Sequence, residues 1–258
     1  LDIDYNEYYI KSVDIHDNYS NKSDYIGAHD LQEGFNLVSF SVLPEDDDIN
    51  NVITGDVLGA IYEGISAIYI NEEYWIGALT TIHPNNGYWV WAGSDFVHLT
   101  IGDKYYVENY DLDAGYNLIS YTCSDKGRLS QLIEETCIEG IIGEGVSASS
   151  FDDSWIGSLT DLEPGKGYWF KASEDCELSY DCPEPSINQL VRYDDEETIK
   201  DYVQSTQQAF YFIEHIENIE LGDIVSAYCN DTKVGSRAWV GTYTDIPAMG
   251  NDNRDLTK

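Results

Sequence analysis

"LTDLEPGKGYWFKAS", Leu159 to Ser173, contains a Gly-Lys pair of the kind that cradles phosphates, followed by a dense aromatic run. A phosphate-binding loop has the spacing G-x-x-x-x-G-K-[ST] and passes from a strand into a helix. Here Thr160 stands where the first glycine is needed, Gly167 follows Lys166 in place of a hydroxyl residue, and Tyr168-Trp169-Phe170 reads as strand. The stretch also has a second copy, "LTTIHPNNGYWVWAG" from Leu79 to Gly93, in which Asn86 takes the place of Lys166. A phosphate-binding lysine is not dispensable in one of two copies. The segment therefore reads as a Pro-Gly turn feeding an aromatic strand.

The repeat extends well beyond this turn. Leu31 to Gly102 aligns with Leu112 to Asp181, with an offset of 81 residues at Gly34/Gly115 and Glu63/Glu144 and of 80 at Trp75/Trp155 and Tyr88/Tyr168. Each copy gives a strand after a glycine turn ("GFNLVSF", "GYNLISY") and then a short helical stretch ("DDDINNVIT", "GRLSQLIEE") whose acidic or polar start suits the helix dipole. A strand ending in "YEGISA" or "GEGVSA" follows, then "YWIGAL" or "SWIGSL", the Pro-Gly turn, "GYWVW" or "GYWFK", and a final alternating strand, "FVHLTI" or "CELSYD". The fold class is mostly β: tandem small β-domains, of about five strands plus one short helix each, followed by a third, β-sandwich-like domain.

The expected domain limits are residues 1–30 as an N-terminal linker or edge strand, 31–103 as repeat module 1, 104–182 as a linker plus repeat module 2, and 183–258 as the third domain. The proline-marked "CPEPSINQ" from Cys182 sets the last boundary. In the third region "AFYFIEHI" alternates and "IVSAYC" follows a turn at Leu221-Gly222-Asp223, and the domain is expected to be incomplete. Starting at Leu1 without methionine, the chain is expected to be a processed product or part of a longer protein.

With 48 acidic against 13 basic residues and a net charge of -35, the surface repels phosphate backbones and anionic membranes. No nucleic acid is expected as a partner, and no membrane insertion, because no long apolar run is present. The charge suits solubility in a salty medium, where a Debye length of about 8 Å or less screens self-repulsion. Hydrophobic residues at 42% and aromatics at 13% argue for a folded chain. Of the cysteines, Cys123, Cys137, Cys176 and Cys182 fall in the second copy, and Cys229 is odd. In an oxidising compartment Cys123 with Cys137 and Cys176 with Cys182 are candidate bridges; the alternative is that all are free and buried.

The pattern G-[FY]-N-L-[VI]-S, E-G-[IV]-S-A, W-I-G-[AS]-L-T, P-x-x-G-Y-W resembles repeat modules of large extracellular proteins of marine bacteria and of structural proteins of marine phages. The third region, with "QQAFYF", "GDIVSAY", "VGSRAW" and "DIPAMGND", looks like the module that often follows them. The resemblance covers nearly everything from Leu31 to Asp255 and departs from the usual pattern at Asn85-Asn86, where glycine and lysine are more typical. It implies a surface or virion structural role, an extracellular, cell-surface or virion location, and no catalytic residues.

The residues themselves yield no catalytic constellation. Glu63 and Glu144 lie near Ser66 and Ser147, yet Ile68 and Ser149 stand where a G-x-S-x-G elbow needs its last glycine, so each glutamate reads as a local cap or pair at a strand-end turn. Calcium is the one cofactor the sequence suggests, through Asp46, Asp47 and Asp48 and through Asp252 and Asp255, although neither cluster has EF-hand spacing. Trp75/Trp155 and Trp89/Trp169 recur and read as core, whereas Trp91 has Lys171 as its counterpart and is the candidate for an aromatic surface contact, including one with a glycan. The reading is a non-enzymatic, modular structural or surface protein: a virion decoration or fibre component, or a surface-array or adhesion protein. Its partners are expected to be itself or another surface or virion protein. The alternative is a carbohydrate-binding module of a secreted protein.

Overall fold

The computed structural model describes residues 25–71, 73–134, 136–152, 154–183 and 202–251. Residues 1–24 of the expected N-terminal segment, most of "CPEPSINQ", and Asp252 and Asp255 lie outside the described residues. The chain is mostly β and is built from the two repeats and a third unit.

Module 1 comprises β1 (Tyr25–Leu31), β2 (Gly34–Ser39), β3 (Val42–Leu43), α1 (Ile49–Val52), β4 (Val57–Tyr62), β5 (Ile65–Ile70), β6 (Tyr74–Gly77), β7 (Gly87–Ala92) and β8 (Phe96–Lys104). Module 2 comprises β9 (Tyr110–Leu112), β10 (Gly115–Ser120), β11 (Gly127–Arg128), α2 (Leu129–Leu132), β12 (Ile138–Ile142), β13 (Ser147–Phe151), β14 (Ser154–Gly157), β15 (Asp161–Leu162), β16 (Gly167–Ala172) and β17 (Cys176–Leu178). The main sheets have one topology, β2-β7-β4-β5-β6 and β10-β16-β12-β13-β14, all antiparallel. Even an irregularity is shared, since the register slips between Val57 and Gly59 in one copy and between Ile138 and Gly140 in the other.

Strand pairing refines the expected limits. β1 pairs with β8 along its whole length, which draws residues 25–30 into module 1, and β9 pairs with β17, which draws residues 110–112 into module 2. The "YEGISA" segment is a hairpin, not a strand end: Tyr62 pairs with Ile65 across Glu63 and Gly64, both at positive φ, as tight hairpin turns require. Each predicted helix is a single turn. Asp48 caps α1 by accepting from Asn50 N, whereas α2 starts after Arg128 without a side-chain cap, and neither first turn holds an acidic residue. Such short helices have too little dipole to matter; Ile49, Val52, Leu129 and Leu132 hold them by burial.

The motif G-[FY]-N-L also gains a physical reason. Asn36 folds back so that its amide exchanges two hydrogen bonds with the Gln32 backbone, at 2.8 Å each, and Asn117 does the same with Asp113 at 2.9 Å. The side chain thereby replaces a backbone ladder at the glycine turn.

The third unit holds β18 (Gln208–Ile213) paired with β21 (Thr244–Met249), and β19 (Ile224–Cys229) paired with β20 (Thr232–Ala238). The β19–β20 hairpin packs against the β18–β21 pair, through β20 and β21, as a β-sandwich-like third unit.

Two disulfides sit in module 2, Cys123–Cys182 and Cys137–Cys176, and Cys229 is free and exposed. The cysteines pair, but not with their sequence neighbours as expected. The module closes by bringing β17 back beside β9, so each cysteine near the end of the repeat meets one from its first half. At the module 1 positions of the inner bridge stand Asp56, which is exposed and accepts from Ser94 Oγ at 2.6 Å, and Phe96, which packs against the module 1 core.

Candidate functional site

The two most distinctive motifs meet each other across the modules. Leu118 N donates to Glu63 Oε1, and Leu37 N donates to Glu144 Oε2 at 3.0 Å. Leu37 and Leu118 are repeat equivalents, as are Glu63 and Glu144, so the contact is isologous: the chain holds an internal pseudo-dimer. Beyond the local pairing expected of these glutamates, seen in the hydrogen bond between Glu63 and the Tyr62 side chain, each hairpin turn aims its carboxylate at the other module's second strand.

The Pro-Gly turns complete the lock. Ser39 N donates to Gly165 O at 2.9 Å and Ser120 N to Asn85 O at 3.1 Å, while Val38 bridges to Lys166 and Ile119 to Asn86. Ser39 Oγ donates to Lys166 O at 2.8 Å and Ser120 Oγ to Pro84 O at 2.7 Å. Thus Lys166, the residue of the apparent phosphate loop, contributes its backbone to module 2's grip on module 1. Within each turn a buried tyrosine accepts a backbone proton, Tyr88 from His83 N at 2.7 Å and Tyr168 from Glu163 N at 2.9 Å. Between the turns lies a small apolar core of Phe35, Leu37, Trp89 and Leu118, with Trp91 and Trp169 packed against it.

Glycine is required where the turns touch. A Cβ on Gly87 would lie 2.9 Å from Leu118 Cδ1 and 3.1 Å from Gly167 Cα, and one on Gly167 would lie 2.8 Å from Val38 O and 3.0 Å from Gly87 Cα. Gly167→Ala is expected to lower stability by about 1–3 kcal/mol, the usual cost of overpacking a filled interior, read as a shift of the urea midpoint. Lys166→Asn, which copies module 1, is expected to stay within about 0.5 kcal/mol of the parent, because the backbone makes the contact. A melting temperature well below the parent's would refute that reading of the turn.

A second contact joins the third unit to module 2. Fully buried Asp245 accepts from Ser147 Oγ at 2.9 Å and Ser158 Oγ at 2.8 Å, with Arg237 Nε 3.4 Å from its other oxygen. Arg237 also donates to Gly145 O at 2.6 Å, and Gln208 Nε2 donates to Gly143 O at 3.0 Å. A buried carboxylate is tolerated only when paired and hydrogen-bonded, and both conditions hold. The sequence reading passed over Arg237, Asp245 and Gln208. The available signal was a charge within an apolar or alternating strand, Asp245 before "IPAM" and Arg237 in "TKVGSRA".

The expected chemistry separates accordingly. Glu144 is directed to Leu37 and Ser147 to Asp245, so the two side chains of this motif engage different partners, one in module 1 and one in the third unit. Trp91 is half-buried, with its ring 6.0 Å from Phe35. Of the aspartates considered for calcium, Asp46 accepts from Asp48 N at 3.3 Å, Asp48 caps α1, and Asp47 lies 3.8 Å from His83 Nδ1. Among the described residues, no group of three metal-ligating side chains converges, and no helix is long and apolar enough to cross a membrane. No family model, curated protein or solved structure matches the chain.

Proposed function

We propose that the chain is a non-enzymatic structural module of an extracellular assembly, a virion decoration or fibre component or a surface-array or adhesion protein. The observation that carries this reading is the reciprocal lock between modules, in which the motif residues Glu63, Glu144, Ser39 and Ser120 hold the two repeats together. Two disulfides suit an oxidising exterior. The acidic surface keeps such modules apart except where a specific contact overcomes repulsion. Mass spectrometry and cryo-EM of purified particles or surface layers test the proposal. Finding the chain stoichiometrically in a particle supports it; finding it solely as a free monomer in culture fluid counts against it. Polysaccharide pull-down that Trp91→Ala abolishes would move the assignment to the carbohydrate-binding alternative, to which the half-burial of Trp91 lends little support.

A further inference from the structure

The repeat shows what one face of module 1 is built to receive. In module 2 the β13–β14 edge is covered by the third unit: Gly145 and Ser147 are buried beneath Arg237 and Asp245, and Phe212 lies over Gly157. The equivalent β5–β6 edge of module 1 is bare, with Gly64, Ser66, Gly77 and Ala78 all exposed. It is also more apolar. Ile68 stands where module 2 has Ser149, Tyr74 where it has Ser154, and Ala78 where it has the hydroxyl of Ser158 that binds Asp245. Ile68 and Ile76 are 51% and 56% exposed, with Ile65 and Tyr74 exposed beside them. An apolar sheet edge of this kind on a chain of net charge -35 marks a contact site and not a solvated surface.

The third unit has a matching surface. Its polar side is engaged on module 2, but at the open end of the β19–β20 hairpin Leu221, Ile224 and Val240 are 77%, 65% and 68% exposed. They are brought together because Gly222 N donates to Trp239 O at 2.9 Å and Trp239 N to Asp223 O at 2.7 Å. The module 1 face keeps Ser66 at the place of Ser147 but has lost the second hydroxyl that holds the buried aspartate, and it has gained Ile68 and Tyr74 in place of serines, so it suits this apolar end better than the Arg237–Asp245 side.

We propose that the β5–β6 face of one copy binds the open end of the β19–β20 hairpin of a second copy, a head-to-tail contact that leaves one free face and one free end on every growing chain. Such a heterologous contact builds a ring or a filament and not a closed dimer. Acidic residues flank both surfaces, Glu73 on one and Glu220 and Asp223 on the other, so the contact strengthens as salt screens them. The inference names the partner of the proposed assembly role and rests on that reading.

The test is sedimentation of the full chain at about 0.05 M and about 1 M salt, where the Debye length falls from roughly 14 to 3 Å. The parent is expected to exceed dimer mass with rising concentration at high salt. A face variant, Ile68→Lys with Ile76→Lys, and an end variant, Leu221→Lys with Val240→Lys, are each expected to stay monomeric. Mixed one to one, they are expected to give dimers and nothing larger, since together they keep one intact face and one intact end. Should a lysine variant lose the parent's melting transition, Ile68→Ser, which copies module 2, and Leu221→Ser replace it. A parent that stays monomeric overturns the proposal, as does an end variant that still self-associates, which would mean pairing of two module 1 faces. A mixture that forms no dimer also overturns it. A monomer nonetheless found in purified particles overturns this contact alone; a self-associating chain found in no particle overturns the functional reading alone.

Discussion

Acidification from about pH 7 to about pH 4 is expected to destabilise module 1 by on the order of 5 kcal/mol, through His29 and His98. The two histidines face each other in register on β1 and β8, with rings 5.9 Å apart and both side chains buried. Burial, and then the neighbouring His98, holds His29 down to about 3, while burial holds His98 down to about 4, against 6.5 for a free imidazole. His29 Nε2 faces Ser39 O at 2.8 Å and His98 Nε2 faces Val52 O at 2.9 Å, so both are read as neutral rings donating from Nε2. The unfolded chain takes up two protons as pH falls through 6.5, and the native chain does not until pH reaches the folded values. Stability is therefore fully present above 6.5 and is lost between 6.5 and about 4.

Module 2 supplies the control. At the positions of His29, His98 and Thr100 it has Tyr110, Leu178 and Tyr180, and there Tyr180 O–H donates to Ser120 O as His29 does to the equivalent Ser39 O. Tyr110 in turn pairs with Ser120 Oγ at 2.8 Å. The triple variant His29→Tyr, His98→Leu, Thr100→Tyr is expected to flatten the acid limb of a urea midpoint series between about pH 6.5 and pH 4.5. An unchanged limb would locate the acid sensitivity elsewhere.

This strand also shows where sequence reading stops. "FVHLTI" reads correctly as an alternating strand, and alternation alone assigns the apolar set to the core. The structure does the reverse: His98 and Thr100 point inward, while Val97, Leu99 and Ile101 are exposed. In "CELSYD" the expected polarity holds, with Leu178 and Tyr180 inside and Glu177 outside. Period fixes which residues share a face, but the partner surface fixes which face is buried.

The repeat was the most legible feature, because duplicated residues report shared structure whatever their chemistry. From it the series of strands along each module could be anticipated, but neither their order in the sheet nor the lock. A hydrogen bond from Leu118 to Glu63 spans 55 residues and leaves no local trace. That Glu63 and Glu144 persist in both copies was the only hint of a role beyond the turn. The lock, once seen, accounts for why Lys166 and Asn86 interchange while Gly87 and Gly167 do not. The first pair meets the neighbouring module by backbone and the second by the lack of a side chain.

Removing the outer disulfide, Cys123–Cys182, is expected to have the second largest effect. Its cysteines are 59 residues apart, and in the chain-entropy account closing a loop of that size contributes about 4 kcal/mol. The Cys137–Cys176 bridge, 39 residues apart, is nested inside the outer loop, so it removes less additional freedom from an unfolded chain already closed by its partner. Cys123→Ala with Cys182→Ala should therefore shift the urea midpoint further than Cys137→Ala with Cys176→Ala. Module 1 folds the equivalent of the outer bridge differently, pairing Val42 with Lys104 and Leu43 with Asp103 where module 2 relies on sulfur. Because the reciprocal hydrogen bonds tie Leu37 and Leu118 to the opposite module, the loss is expected in one cooperative transition of both modules. Two separate transitions, with only the module 2 one moving on reduction, would show that the lock is weaker than either core.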